Sequence, residues 1–285
     1  DQPFLLWSSW IEPHPPFAAC EPYDSLYAPE DMDLPVFTER PLGTLPGGVG
    51  HRGRLDGAHL DPDRIRRIRA LYYGLVTQVD KEVGRILDTL DELGLTHNTV
   101  VLFLSDHGDM LGDHGLSQKN VPYEASVRIP MILRWPGRTQ AGRVCEDLVG
   151  LEDFLPTVLD ELGITRDPQA APLAGASLLG RDGGGLARPR EIYAIDYRHD
   201  AERWICLRSQ TRKYALWARG GFEDLYDLDK DPHEMHNLAE EQPGLAARMR
   251  EQALAWEQEH GLAARSMEGE TWKTWAWQPP QNETP

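Results

Sequence analysis

Residues 100–120 read VVLFLSDHGDMLGDHGLSQKN, an apolar run that ends abruptly in two Asp-His pairs and, five residues after the second, a lysine. Five consecutive apolar residues are what a strand covered on both faces requires, and Ser105, Asp106 and His107 fall directly at its carboxyl end. In open α/β sheets that end is where ligands bind. The stretch therefore predicts a strand that delivers polar side chains to a crevice.

The neighbouring segments extend the pattern outward. Upstream, Ile65, Ile68, Leu71, Leu75, Val79, Val83, Ile86, Leu90 and Leu93 recur at intervals of three and four, which predicts a long helix with Asp63 as N-cap and Gly94 as its stop. Downstream, Ile129 to Leu133 is a second strand closed by WPG, and Glu152 to Leu162 a helix ending at Gly163. Near the start, FLLWSSW (residues 4–10) is apolar nearly throughout and predicts another buried strand that runs into EPHPPF. Strands alternating with helices favour an α/β fold with a largely parallel sheet flanked by helices.

The character changes after the Gly-, Ala- and Pro-rich passage at 167–190. ICLRSQ, KYALWA and DLYDLD predict short strands of an antiparallel sheet, and Gln242 to His260 a closing helix. The expected organisation is the C-terminal part of a main α/β domain over 1–185 and a smaller antiparallel α+β subdomain over 186–285. Residues 36–63 lack periodicity and predict a long surface loop.

Composition narrows the chemistry. A formal charge of −17 disfavours binding to a phosphate backbone, which depends on Lys and Arg. An anionic substrate would need a local cation. No run approaches the length of a membrane span. Cys20, Cys145 and Cys206 are an odd number without CxxC spacing, which argues against a disulfide framework or zinc ribbon and is compatible with a reducing compartment.

Each candidate residue has two readings. Asp106 offers a hard anionic oxygen and His107 a neutral imidazole, so the pair can hold a divalent cation if other ligands come from elsewhere; equally, Asp106 can simply cap the following turn. Lys119 can serve as a fixed cation for an anionic ester or as a solvated surface lysine. His14 has the reference pKa of a general acid, as do the other nine histidines.

Read together, PFLLWSSWIEPHPPF, the stretch from YYGLVTQVDKEVG to MILRWPG, LEDFLPTVLDELGI with LAGASLL, and RKYALW with LYDLDKDPHEMHNLA resemble the sulfatase family of the alkaline-phosphatase superfamily. The resemblance implies that Asp106 and His107 are two late ligands of a divalent metal, usually calcium, with manganese or magnesium open because many members carry Asn where His107 stands. It implies that Lys119 contacts the transferred sulfate or phosphate group, and that His14 holds the substrate ester and assists the leaving oxygen. Catalytic and substrate-binding roles thus fall to His14 and Lys119. Asp113, His114 and Arg128 are read as structural, and Asp227 and Asp231 as turn residues.

The family's nucleophile, a formylglycine made from a Cys or Ser in a C/S-x-P-x-R stretch, has no match here, nor do the early metal-binding aspartates. Formylglycine is accordingly expected in an N-terminal segment outside this sequence, which would be the chain's natural partner. The implied activity is hydrolysis of sulfate monoesters. Two alternatives stay open: a phosphonate monoester or phosphodiester hydrolase of the same superfamily, and a catalytically inert binding or scaffolding protein.

Overall fold

A computed structural model describes residues 2–36, 61–180, 190, 193–197, 203–218, 220–260, 267–268, 271–272 and 274. Most of the expected loop at 36–63 lies outside the described residues, as does most of the Trp-rich stretch WKTWAWQPPQNETP at 272–285. The chain forms two compact units interleaved in sequence: Asp1–Pro35, Leu55–Thr99 and Leu111–Leu116 make the first, and Val36–Arg54, Val100–Met110 and Ser117–Pro285 the second.

The first unit is built on helix α1, Pro62–Glu92. Its N-cap is Asp61, not Asp63: Pro62 occupies the first helical position, where a missing N–H costs nothing, and Asp63 instead lies in the first turn. Gly94 ends the helix as expected, at φ +69°. Ile65, Ala70, Gly74 and Leu75 form its buried stripe. A Cβ at Gly74 would stand 2.1 Å from the Tyr23 carbonyl oxygen, so only glycine lets the 19–25 segment run this close. The Tyr27 hydroxyl reaches Thr77 Oγ1 at 2.8 Å, and Arg66 donates to the Glu30 carbonyl at 2.9 Å.

The strand predicted at 4–10 does not form. Leu5 is 89% and Trp7 83% exposed, and among the described residues none pairs with this segment. Apolar character alone does not make a strand; its backbone donors and acceptors need a neighbour. Phe4, Leu6 and Trp10 line a groove of about 780 Å³ together with Ile86 and Leu90 of α1 and Leu93 just after it.

In the second unit, β1 (Val101–Leu104) and β2 (Met131–Arg134) form a two-stranded sheet. They pair antiparallel, from Val101 opposite Arg134 to Leu104 opposite Met131, where a parallel arrangement was expected. A parallel crossover generally uses a helix long enough to span the sheet; the chain between these strands has a 3-10 turn at Asp113–Gly115 and the one-turn helix α2, Glu124–Val127, and returns in reverse. All described strand pairs are antiparallel. The α/β class nevertheless holds, with an antiparallel sheet and helix toward the C-terminus.

Helix α3, Phe154–Glu161, ends with Gly163 at φ +63°. Just before it, Asp153 is fully buried and shows why LEDFLPT and LAGASLL occur together. Its carboxylate accepts from Arg190 in a two-pronged fork at 2.7 and 2.5 Å and from the Ala176 N–H at 2.7 Å, while Thr157 Oγ1 accepts from the Leu178 N–H at 2.8 Å.

Four strands then make an antiparallel sheet in the order β3 (Tyr193–Tyr197), β4 (Trp204–Arg208), β5 (Arg212–Trp217) and β6 (Glu223–Asp227). β3 was not anticipated from the sequence. Alternation assigns the two faces. Ile205, Leu207, Tyr214, Leu216 and Leu225 pack with Ala246, Met249 and Ala253 of helix α4, Pro243–His260. The opposite face presents Trp204, Cys206, Lys213 and Tyr226, and it supports the segment that follows Lys119. Short strands β7 (Met267–Glu268) and β8 (Thr271–Trp272) complete the unit.

Candidate active site

β1 releases the chain at Ser105, and a set of short hydrogen bonds fixes residues 105–108. Ser105 Oγ donates to the His107 carbonyl at 2.7 Å, and the His107 N–H donates to Asp106 Oδ1 at 3.0 Å. That second bond is to the adjacent residue, not to an N–H two or three residues on as a cap of the following turn would be. It uses one carboxylate oxygen, and the other, Oδ2, lies 3.4 Å from His107 Nε2. Asp106 has 80% of its side chain exposed and His107 33%.

The imidazole is oriented by its other nitrogen. His107 Nδ1 is 2.8 Å from the Gly108 carbonyl oxygen, which accepts only, so in the neutral ring Nδ1 carries the proton and Nε2 keeps a lone pair. Gly108 is pinned in turn. Its N–H donates to the Ser126 carbonyl at 2.7 Å, and a Cβ there would stand 2.1 Å from the Ala125 carbonyl oxygen.

An acceptor carboxylate oxygen and an imidazole lone pair 3.4 Å apart fit two neighbouring ligands of one cation. Their mixed oxygen and nitrogen character suits manganese as readily as calcium. Among the described residues no group of three or more His, Cys, Asp or Glu side chains is arranged to hold a metal, and Asp106 and His107 by themselves supply two donors.

Lys119 is half-buried in the same unit, and its backbone is held on both sides. The Gln118 N–H donates to Asp109 Oδ1 at 3.0 Å, and the Gln118 carbonyl accepts from the Met110 N–H at 2.8 Å. The Asn120 carbonyl accepts from Trp204 Nε1 at 3.0 Å. Both flanking residues are left-handed, Gln118 at φ +64° and Asn120 at φ +76°; asparagine tolerates this conformation, whereas glutamine holds it only when its surroundings enforce it.

A buried charge cluster lies against the next residues. Lys213 Nζ contacts Glu124 Oε1 at 2.7 Å, Glu234 Oε1 at 2.7 Å and the Pro122 carbonyl at 2.8 Å. Arg208 also reaches Glu124, at 3.2 Å. Burial pushes Glu234 up from the ordinary carboxylate value despite Lys213. Burial acts in the same sense on Glu124, but Lys213 and Arg208 outweigh it and hold that carboxyl low. For Lys213 burial alone would lower the pKa, yet Glu234 and Glu124 keep it raised. None of these residues stood out in the sequence as part of a site. The available signal was a lysine inside the otherwise apolar strand KYALW.

The remaining candidates divide by unit. His14 is exposed in the first unit, with Nδ1 2.7 Å from the Pro15 carbonyl. Also in that unit, Asp113 pairs with Arg69 at 2.7 Å, and Arg69 further donates to the Leu111 and Asp33 carbonyls, while His114 is buried at φ +55°. Asp113 and His114 thus have structural surroundings. In the second unit Arg128 is exposed, and both carboxylate oxygens of Asp231 accept backbone N–H groups, from Met235 and His236, as turn chemistry requires.

Comparison with known proteins identifies the class. The sulfatase family profile matches residues 1–164, and a profile described as N-sulphoglucosamine sulphohydrolase, C-terminal, matches residues 112–258. The chain belongs to the sulfatase family. An arylsulfatase of Clostridium perfringens is 31% identical over 83% of this chain and 49% of its own length. A multifunctional alkaline phosphatase superfamily protein of Trinickia caryophylli is 34% identical over 91% of this chain and 56% of its own. The solved phosphonate monoester hydrolase of Agrobacterium radiobacter superposes with a TM-score of 0.72 at 28% identity, covering 87% of this chain and 55% of that one. The chain spans about half the length of these relatives.

Proposed function

We propose that this chain is the part of a sulfatase-type hydrolase that carries late metal ligands and substrate-side cations, the whole enzyme cleaving sulfate monoesters. The observation that carries this reading is the Asp106–His107 donor pair, with Nδ1 of His107 committed to the Gly108 carbonyl and Nε2 left to ligate. Asp106 and His107 would hold a divalent metal, calcium by family precedent and manganese or magnesium by donor chemistry. When bound, the metal and a formylglycine outside these residues would supply charge stabilisation and the nucleophile.

The roles of this chain's own residues follow from charge. As the bond from sulfur to the leaving oxygen breaks, negative charge grows on that oxygen and on the sulfuryl oxygens. The Lys119 ammonium offsets charge on the sulfuryl oxygens. By the family resemblance His14 would assist the leaving oxygen, which departs as the alcohol. Residues 1–185 would then be the C-terminal part of the main domain and 186–285 a supporting subdomain.

A second reading changes the substrate and keeps the reaction: a phosphonate monoester or phosphodiester hydrolase. It is favoured by the likeness to the phosphonate monoester hydrolase. Turnover of an aryl sulfate, a phosphonate monoester and a phosphate diester by the whole enzyme separates the two. Turnover of any of them dependent on Asp106 and His107 rules out an inert scaffold. If replacing both with alanine leaves metal content and turnover unchanged, the ligand assignment fails.

A further inference from the structure

A lysine side chain has four rotatable carbons, and its ammonium helps a transition state only if the backbone beneath it is fixed. Lys119 stands between two left-handed residues, and six groups within a few residues of it are held by side chains or by chain returning from elsewhere. Gln118 is bound at its N–H and its carbonyl, by Asp109 and Met110. After Lys119 the Asn120 carbonyl is bound by Trp204, the Pro122 carbonyl by Lys213, the Glu124 N–H by Glu234 at 2.6 Å, and the Glu124 carboxylate by Lys213 and Arg208.

The chemistry of this anchor is unusual for a purely stabilising contact. Lys213 and Glu234 are 1% and 2% exposed, and apolar side chains of the same volume would often stabilise a fold as well or better. What the charges add is direction. A lysine with three acceptors at 2.7 to 2.8 Å sets the Pro122 carbonyl and the Glu124 carboxylate at one defined place, as no apolar contact does. Trp204 extends the same control to Asn120, the residue adjacent to Lys119.

We propose that Trp204, Lys213 and Glu234 form a positioning device for Lys119, through which the C-terminal sheet sets where the ammonium meets an anionic ester. This rests on the reading of Lys119 as the substrate-facing cation. Trp204, Lys213 and Glu234 touch no reacting atom in it; they act through the 120–124 backbone.

Two variants test it. Trp204→Phe keeps an aromatic ring in β4 and removes the indole N–H donor to Asn120, and Lys213→Met keeps the aliphatic stem and removes the buried charge. Amide hydrogen exchange is read on this chain for residues 117–124, with α4 as reference. The expected result is that exchange at 117–124 accelerates about tenfold more than at α4 in each variant, beyond the general destabilisation that loss of the Lys213 charge brings. Unchanged exchange at 117–124 in both, or equal acceleration in α4, overturns the proposal.

Turnover of an aryl sulfate by the whole enzyme supplies the functional arm. Trp204→Phe is expected to lower kcat by about tenfold with KM nearly unchanged, and to have no further effect once Lys119→Ala is present. Equal losses in the presence and absence of Lys119 overturn the positioning role. If Lys119→Ala itself turns over normally, the reading of Lys119 as a substrate cation fails, a result separate from the exchange data.

Discussion

Lys213 and Glu234 meet at 2.7 Å with both side chains almost wholly sealed from solvent, although one lies in a strand and the other in the turn that follows the next strand. Glu234 itself adopts φ +57°, so the turn is held in a strained form that brings its carboxylate to the lysine. Breaking such a pair from one side leaves an uncompensated buried charge. Lys213→Met is therefore expected to destabilise the chain by about 3–5 kcal/mol, and the double variant Lys213→Met/Glu234→Gln by clearly less. Urea denaturation of both variants checks this. Equal losses in the single and double variants would mean that the two charges do not depend on each other.

The same strand sets an alkaline limit. Lys213 and Tyr214 are neighbours on opposite faces of β5, and both hold their protons more tightly folded than unfolded. For Tyr214 the causes are burial and the hydrogen bond it donates to Glu223; for Lys213 the carboxylates of Glu234 and Glu124 overcome the effect of burial. The unfolded groups release protons near their ordinary values of 10.0 and 10.5. Above that range the folded state binds more protons than the unfolded one, so stability falls as pH rises, by up to about 1.4 kcal/mol per pH unit for each group. Their contribution is complete below about pH 10. Denaturation midpoints followed from neutral to alkaline pH should show the decline, and Lys213→Met should make it shallower.

The thiols should separate by location. Cys20 and Cys145 are exposed, whereas Cys206 is fully buried on β4, where burial pushes its pKa up to about 12. Because the thiolate is the reactive form, Cys206 is doubly protected. Titration with a disulfide reagent at neutral pH is expected to consume two thiols quickly and the third only after denaturation. Rapid modification of all three would mean that the β3–β6 sheet opens readily.

Much of this was legible in the sequence where one property repeats along a short stretch. The apolar spacing from Ile65 to Leu93 predicted α1 to within a few residues, and Gly94 and Gly163 marked two helix ends, because periodicity and left-handed glycine are local physics. The apolar run 4–10 was misleading: its composition calls for a covering surface, and it cannot say whether a pairing strand is at hand. Asp106 and His107 were singled out by their position after β1 and by the family resemblance. The tautomer of His107, set by Gly108, needed coordinates. Lys213 and Glu234 are separated by a whole strand and a turn, and nothing in RKYALW or DPHEM states that those two charges meet.

Gly108 offers the sharpest check of how tightly the donor pair is built. A methyl group there would stand 2.1 Å from the Ala125 carbonyl oxygen and 3.4 Å from that of Ser126, so α2 or the Asp106–His107 turn must move. Gly108→Ala is expected to cost about 1–3 kcal/mol, the range for overpacking, and to disturb the carbonyl that orients His107. Loss of an orienting partner of this kind typically weakens metal binding by about 10–100-fold. Manganese titration of the whole enzyme, compared with wild type, measures that loss. Gly84→Ala is the control: it lies within α1 with nothing within 4 Å of the added methyl, so it should be neutral or stabilise by up to about 1 kcal/mol and leave metal affinity unchanged. Were Gly108→Ala to behave like Gly84→Ala in both measurements, the close approach at Ala125 would not be what orients His107, and the ligand pair would have to be held by the strand end alone.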